Sequence, residues 1–189
     1  MTTTIKLPLR SMNLETMRDL QEKYPEAEIS VDLNHDRHQT SLSEQDFWYI
    51  ISLLDWTKTG EDDAVLEPAK RYLTEGPVRH IFDFADILSE KLYALDGRSF
   101  AQNMGSAAWT PHKYFSVDNF LYARACVVAN GAEVFNQVLN NPSEMPKDLS
   151  FEALLYLPSE AYEQKMGKPY NYSPAFPIET YSNKANWEN

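Results

Sequence analysis

SVDNFLYARACVVANG (residues 116–131), followed by FEALLYLPSEAYEQKMG (residues 151–167), decides the fold class of this chain. Ser116 can cap a helix start, because its hydroxyl accepts a backbone N–H from the first turn. Gly131 and Gly167 are placed to end two helices. Within the first stretch Phe120, Leu121, Val127 and Val128 recur at helical spacing around Arg124, which therefore points to the apolar side. A guanidinium is always charged, so that position requires a carboxylate or several carbonyl groups nearby. Asp86, Glu90, Glu152 and Glu160 are the candidate carboxylates. Two readings follow. The preferred one is a buried ion pair tying helices together; the other is an anion-binding arginine in a pocket, with Asp118, Tyr122 or Glu160 beside it.

Working outward, helical patterns dominate. Ser43 and Asp46 form a capping pattern ahead of Phe47, Ile50, Ile51 and Leu54. A second helix is expected over 61–75, bent or delayed by Pro68 and closed by Gly76. A third covers about 77–96, where Ile81, Phe84, Leu88, Leu92 and Leu95 keep a three-four rhythm up to Gly97. Residues 98–115 are undecided, with 100–104 as a possible short helix broken by Gly105 and Thr110-Pro111. Helices are then expected over 117–130, 132–140 and about 149–166, the last kinked near Pro158.

The N-terminal residues read differently. Residues 5–9 form a short extended run, and a helix from Asn13 carries Leu14, Met17, Leu20 and Tyr24 until Pro25 stops it. Ala27, Ile29, Val31 and Leu33 then alternate with Glu28, Ser30 and Asp32 at a period of two. The expectation is a mainly α body of about six helices with a small N-terminal βαβ-like appendage, α+β overall. Its divisions are 1–40 for appendage and linker, 41–167 for the helical domain, and 168–189 for an extended Pro/aromatic tail with Trp187 as a late anchor.

Composition narrows the function. Seventeen Lys and Arg against 28 Asp and Glu leave a net charge of −11, which argues against nucleic acid bound through its phosphates. It suits a partner with a basic surface. No stretch reaches the roughly 20 apolar residues of a membrane span, and the start lacks a secretory h-region, so a cytoplasmic protein is expected. The single cysteine, Cys126, lies in an apolar helical run and reads as a buried, inert thiol. Asp118 reads as a helix-start carboxylate. His35-Asp36-Arg37-His38 lies in a linker and Glu61-Asp62-Asp63 opens a helix; neither carries a full metal-ligand set. Trp109, His112, Tyr114 and Phe115 form an aromatic segment that either completes the core or marks a partner surface. With only 6 Gly, and no nucleophile elbow or phosphate loop, no catalytic residue and no cofactor is expected.

Over about 43–167 the chain resembles the bacterial family catalogued as domain of unknown function 4240. The resemblance rests on Asp46-Phe47-Trp48, on Ser116, Asp118, Phe120, Arg124 and Gly131, and on Phe151, Leu154, Leu155, Tyr156, Ala161-Tyr162-Glu163 and Lys165 to Gly167. It implies a small, mainly helical cytoplasmic domain and supplies no reaction, cofactor or catalytic residue. Cys126 stands where the family usually has tryptophan. The functional expectation is a non-enzymatic protein-interaction module, of immunity, antidote or regulatory type, acting as monomer or homodimer on a basic protein. Its candidate binding residues are Arg124, Asp118, Tyr122, Trp109, Tyr114 and Glu160. The alternative is an enzyme or small-molecule sensor with an anion pocket around Arg124.

Overall fold

The computed structural model describes Arg18 and residues 21–24 and 41–188. The chain divides into two units, Met1–Arg37 and His38–Asn189. In the first unit Arg18 and residues 21–23 are helical and Tyr24 lies beyond the helix. The runs expected as strands, 5–9 and 27–33, lie outside the described residues. Among those described there are helices, 3-10 turns and loops but no strand. The α+β class and its βαβ appendage are therefore corrected to a helical fold. The physical reason lies in the body: its apolar residues recur every three or four positions, so its backbone groups pair within helical turns.

The second unit begins with α1 (Glu44–Ser52), which opens on a reciprocal cap: Ser43 N–H donates to Asp46 Oδ2 at 2.9 Å and Asp46 N–H to Ser43 Oγ at 3.1 Å. α2 (Asp62–Glu75) runs through Pro68, and α3 (Val78–Ala94) buries Ile81, Phe84, Leu88 and Leu92 along one stripe. A single-turn α4 (Arg98–Ala101) follows, where 100–104 had been expected. α5 (Val117–Ala129) and α6 (Ala132–Asn140) meet at Gly131, whose φ of 94° belongs to the region that favours glycine. α5 is buried along most of its length, and α3, α6 and the 3-10 turn Glu152–Tyr156 pack on it. α7 (Leu157–Met166) lies against α2 and α3, and α8 (Lys184–Glu188) against α4.

The expected single helix over 149–166 is two elements. Pro158 has no N–H to donate and its ring crowds the carbonyl four residues back, which favours a first-turn position over a helix interior, although α2 carries Pro68 inside it. The chain makes a 3-10 turn first and starts α7 at Leu157, with Pro158 in the first turn, where its missing donor costs nothing.

Candidate functional site

Arg124 has no exposed surface, although it stays charged near neutrality. Its Nη1 donates to Leu92 O at 2.8 Å; its Nη2 donates to Ile178 O at 2.9 Å and to Thr180 Oγ1 at 3.1 Å. Thr180 in turn donates to Val117 O at 2.8 Å, which leaves its lone pairs for the guanidinium. The Phe120 ring lies 4.9 Å from the guanidinium carbon, a cation–π contact. Burial pulls the pKa down to about 10, opposed by the negative charges of Asp96 and Glu179.

The location explains the need for a cation. Leu92, Tyr93 and Ala94 end α3, and the last carbonyls of a helix have no partner within it. Arg124 takes Leu92 O, the Asn183 carboxamide donates to Tyr93 O at 3.0 Å, and that of Asn186 to Ala94 O at 3.3 Å. A positive charge there also opposes the negative end of the helix dipole. Arg124 is thus a helix C-cap supplied by another helix.

Just past α3 sits Asp96, equally buried. Its carboxylate accepts from Tyr181 N at 3.2 Å, Asn183 N at 2.9 Å and Trp187 Nε1 at 2.8 Å. Gly97 is required beside it: a Cβ there would stand 2.7 Å from the Asn186 Cβ. Further up α3, Asp86 accepts from the Tyr172 hydroxyl and from Ala175 N, each at 2.8 Å, and Ser89 Oγ accepts from Phe176 N at 3.2 Å. The tail is therefore held along α3 by polar groups that a lone helix would show to water.

None of the four candidate carboxylates hydrogen-bonds Arg124. Asp86 holds the tail, Glu90 is exposed, Glu160 pairs with Lys70 at 3.4 Å, and the half-buried Glu152 accepts from the Tyr156 hydroxyl. The sequence offered no sign of the true partners, two backbone carbonyls and a threonine far along the chain. The aromatic segment splits. Trp109 stacks on Arg98 at 5.3 Å, Phe115 packs on Phe120 and Trp187, and Tyr114 is 93% exposed. Cys126 is buried, and burial raises its thiol pKa.

The structure does bring Asp118 and Tyr122 together, on the outer side of α5. Between Tyr122 and the exposed Tyr156 stands Glu152, which accepts from the Tyr156 hydroxyl at 2.7 Å. Hydrogen bonding to Glu152, with burial and the Glu152 and Asp118 charges adding to it, holds both phenols above the usual tyrosine range. Next along, Trp56 is 41% exposed and packs on Phe151 at 5.1 Å. Among the described residues neither Asp118 nor Glu152 has an ion pair, whereas Asp83, Glu44 and Glu160 do. This is a half-open ledge of aromatic faces carrying unspent negative charge. No group of three or more His, Cys, Asp or Glu among the described residues is arranged to hold a metal ion, and no described helix is long and apolar enough to cross a membrane.

Fold and site together define a helical domain closed by its own C-terminal segment, with a buried arginine at the closure. Residues 42–164 match the family described as "Protein of unknown function (DUF4240)", and the chain belongs to that family. Comparison with curated proteins and with solved structures gives no match. The tail contacts of Arg124, Asp86 and Asp96 come from residues beyond the matched segment.

Proposed function

We propose that this chain is a non-enzymatic protein-interaction module of a bacterial cytoplasm, binding a partner with a basic surface. The observation that supports it is the ledge of Asp118, Tyr122, Glu152 and Tyr156, where two carboxylates without a cation border exposed aromatic rings. Aromatic side chains dominate binding energy at protein interfaces, and their faces suit an arginine or lysine. The formal charge of −11 adds long-range attraction for such a partner. An immunity or antidote protein that masks a basic toxin is one concrete form; a regulator held to a basic target is physically equivalent. The competing reading, an anion pocket at Arg124, finds no support in a guanidinium whose terminal nitrogens are spent on Leu92 O, Ile178 O and Thr180.

The test is affinity capture from native lysate with the parent, with Glu152→Lys, and with Glu133→Lys on α6 as an equal change of charge elsewhere. The expected result is one basic protein held by the parent and by Glu133→Lys, lost with Glu152→Lys, and released by added salt. Equal capture by all three, or no specific partner, overturns the proposal.

A further inference from the structure

The ledge on the outer side of α5 is built twice on one pattern, an acid with a tyrosine four residues on. Asp118 and Tyr122 supply it on α5, and Glu152 and Tyr156 supply it in the 3-10 turn ahead of α7. The two elements are pinned together, since Phe151 N–H donates to Tyr122 O at 3.1 Å. Asp118 and Tyr156 are exposed, while Tyr122 and Glu152 are half-buried.

What these four residues leave for a ligand is acceptors. Both phenol protons are directed at Glu152. Each phenol oxygen keeps its lone pairs, and a carboxylate has sites for about four hydrogen bonds, so Glu152 stays open to further donors. Its hydroxyl partners are neutral, so its charge is not cancelled. The side-chain charges that act on the two phenols are those of Glu152 and Asp118, both negative. Tyr172 on the tail is different, because Arg79 acts on it alongside Asp86.

Lysine and arginine bring different chemistry to such a surface. An ammonium has three donors on a compact, strongly hydrated head. A guanidinium has five donors in one plane, is more weakly hydrated, and stacks its flat face on aromatic rings. Several acceptors around a half-buried carboxylate, with an exposed ring beside them, match the guanidinium. Granted the ledge as the partner-binding surface, on which this rests, we infer that it takes an arginine of the basic partner in preference to a lysine. The guanidinium donates to Glu152 and to the phenol oxygens and lies against the Tyr156 ring, and Asp118 adds attraction.

Amide chemical-shift titration of the full chain tests it, with capped Gly-Arg-Gly-Arg-Gly, its lysine counterpart of equal charge and its neutral citrulline counterpart as probes. The expected result is saturable shifts at Asp118, Tyr122, Glu152 and Tyr156 with the arginine peptide, and binding of the other two weaker by about five-fold or more. Glu152→Gln keeps the shape and should weaken the arginine peptide by about five-fold, whereas Glu133→Gln on α6 should leave it unchanged. Tyr156 is exposed, so Tyr156→Leu leaves the fold intact; it should bring the arginine and lysine peptides to within about two-fold of each other. A lysine peptide bound at the ledge as tightly as the arginine peptide overturns the inference and leaves the basic-partner reading standing. An unchanged affinity in Glu152→Gln, or no saturable shift at the ledge with the arginine peptide, overturns it too; capture from lysate with Glu152→Lys decides the basic-partner reading separately.

Discussion

A buried arginine without a touching carboxylate is costly unless its donors are met, and Arg124 meets those of its two terminal nitrogens with carbonyls and a hydroxyl, while its Nε–H has no partner. Arg124→Met removes the charge together with the donors that Leu92 O and Ile178 O rely on. The expected loss is about 2–4 kcal/mol in urea denaturation, since a buried acceptor left unmet costs its own desolvation. A change within about 0.5 kcal/mol would assign Arg124 no structural role. Arg124→Lys should fall between the two, because one ammonium cannot span both partners in the plane of a guanidinium. That the arginine faces inward was legible from its apolar neighbours at helical spacing. Its partners were not, because a backbone carbonyl has no sequence signature and residues 178–180 are far away in the chain.

Tyr170 gives the residue scale a pH signature. Burial, with Tyr172 and Asp86 adding negative charge, raises its pKa from 10.0 to about 12. The unfolded phenol loses its proton first, so between those values the folded chain binds more protons and stability falls as pH rises. Below about 10 the contribution is complete. Arg124 acts with the opposite sign, since its folded pKa is lowered and the unfolded chain holds that proton longer. Tyrosinate absorbance of the native protein should show a late step near pH 12 that Tyr170→Phe removes; an unchanged titration would contradict that assignment.

At the scale of elements, caps made the boundaries legible. The Ser43/Asp46 pair opens α1, Ser116 Oγ accepts from Asn119 N at 3.2 Å at the start of α5, and Gly167 takes the left-handed conformation after α7. Each is a local rule read from a few neighbouring residues. The segment before Pro158 was misread because Phe151, Leu154 and Leu155 fit helical spacing whether the turn is α or 3-10. The polar side of α3 was harder still. Asp86, Ser89 and Asp96 look like solvated positions until the tail covers them, so local pattern carries no sign of their burial. Asp96→Asn keeps the shape but turns half of a three-donor acceptor into a donor. The expected loss is about 2 kcal/mol, with faster amide exchange at Tyr181 and Asn183. Exchange unchanged at both would mean that Asp96 does not hold the tail.

For the molecule as a whole, two faces divide the work. The inner side of α5 carries Arg124 and binds the chain's own tail; the outer side carries Asp118 and Tyr122, where the proposed basic partner would bind. Variants should separate them: Glu152→Lys should leave the unfolding free energy within about 1 kcal/mol of the parent, because the half-buried Glu152 bonds only tyrosine hydroxyls at the edge of the body, and Tyr156 is exposed to water. The wider claim is that the tail belongs to the core, since Trp187 is 7% exposed and packs on Phe120 and Tyr181. The most direct measurement is urea unfolding of a chain ending at Gly167 against the full chain. The shortened chain should lose its cooperative transition or unfold at a much lower midpoint, with Ala94 O, Asp96 and the Arg124 Nη2 stripped of their tail partners. A shortened chain that unfolds cooperatively at the full-length midpoint would contradict it.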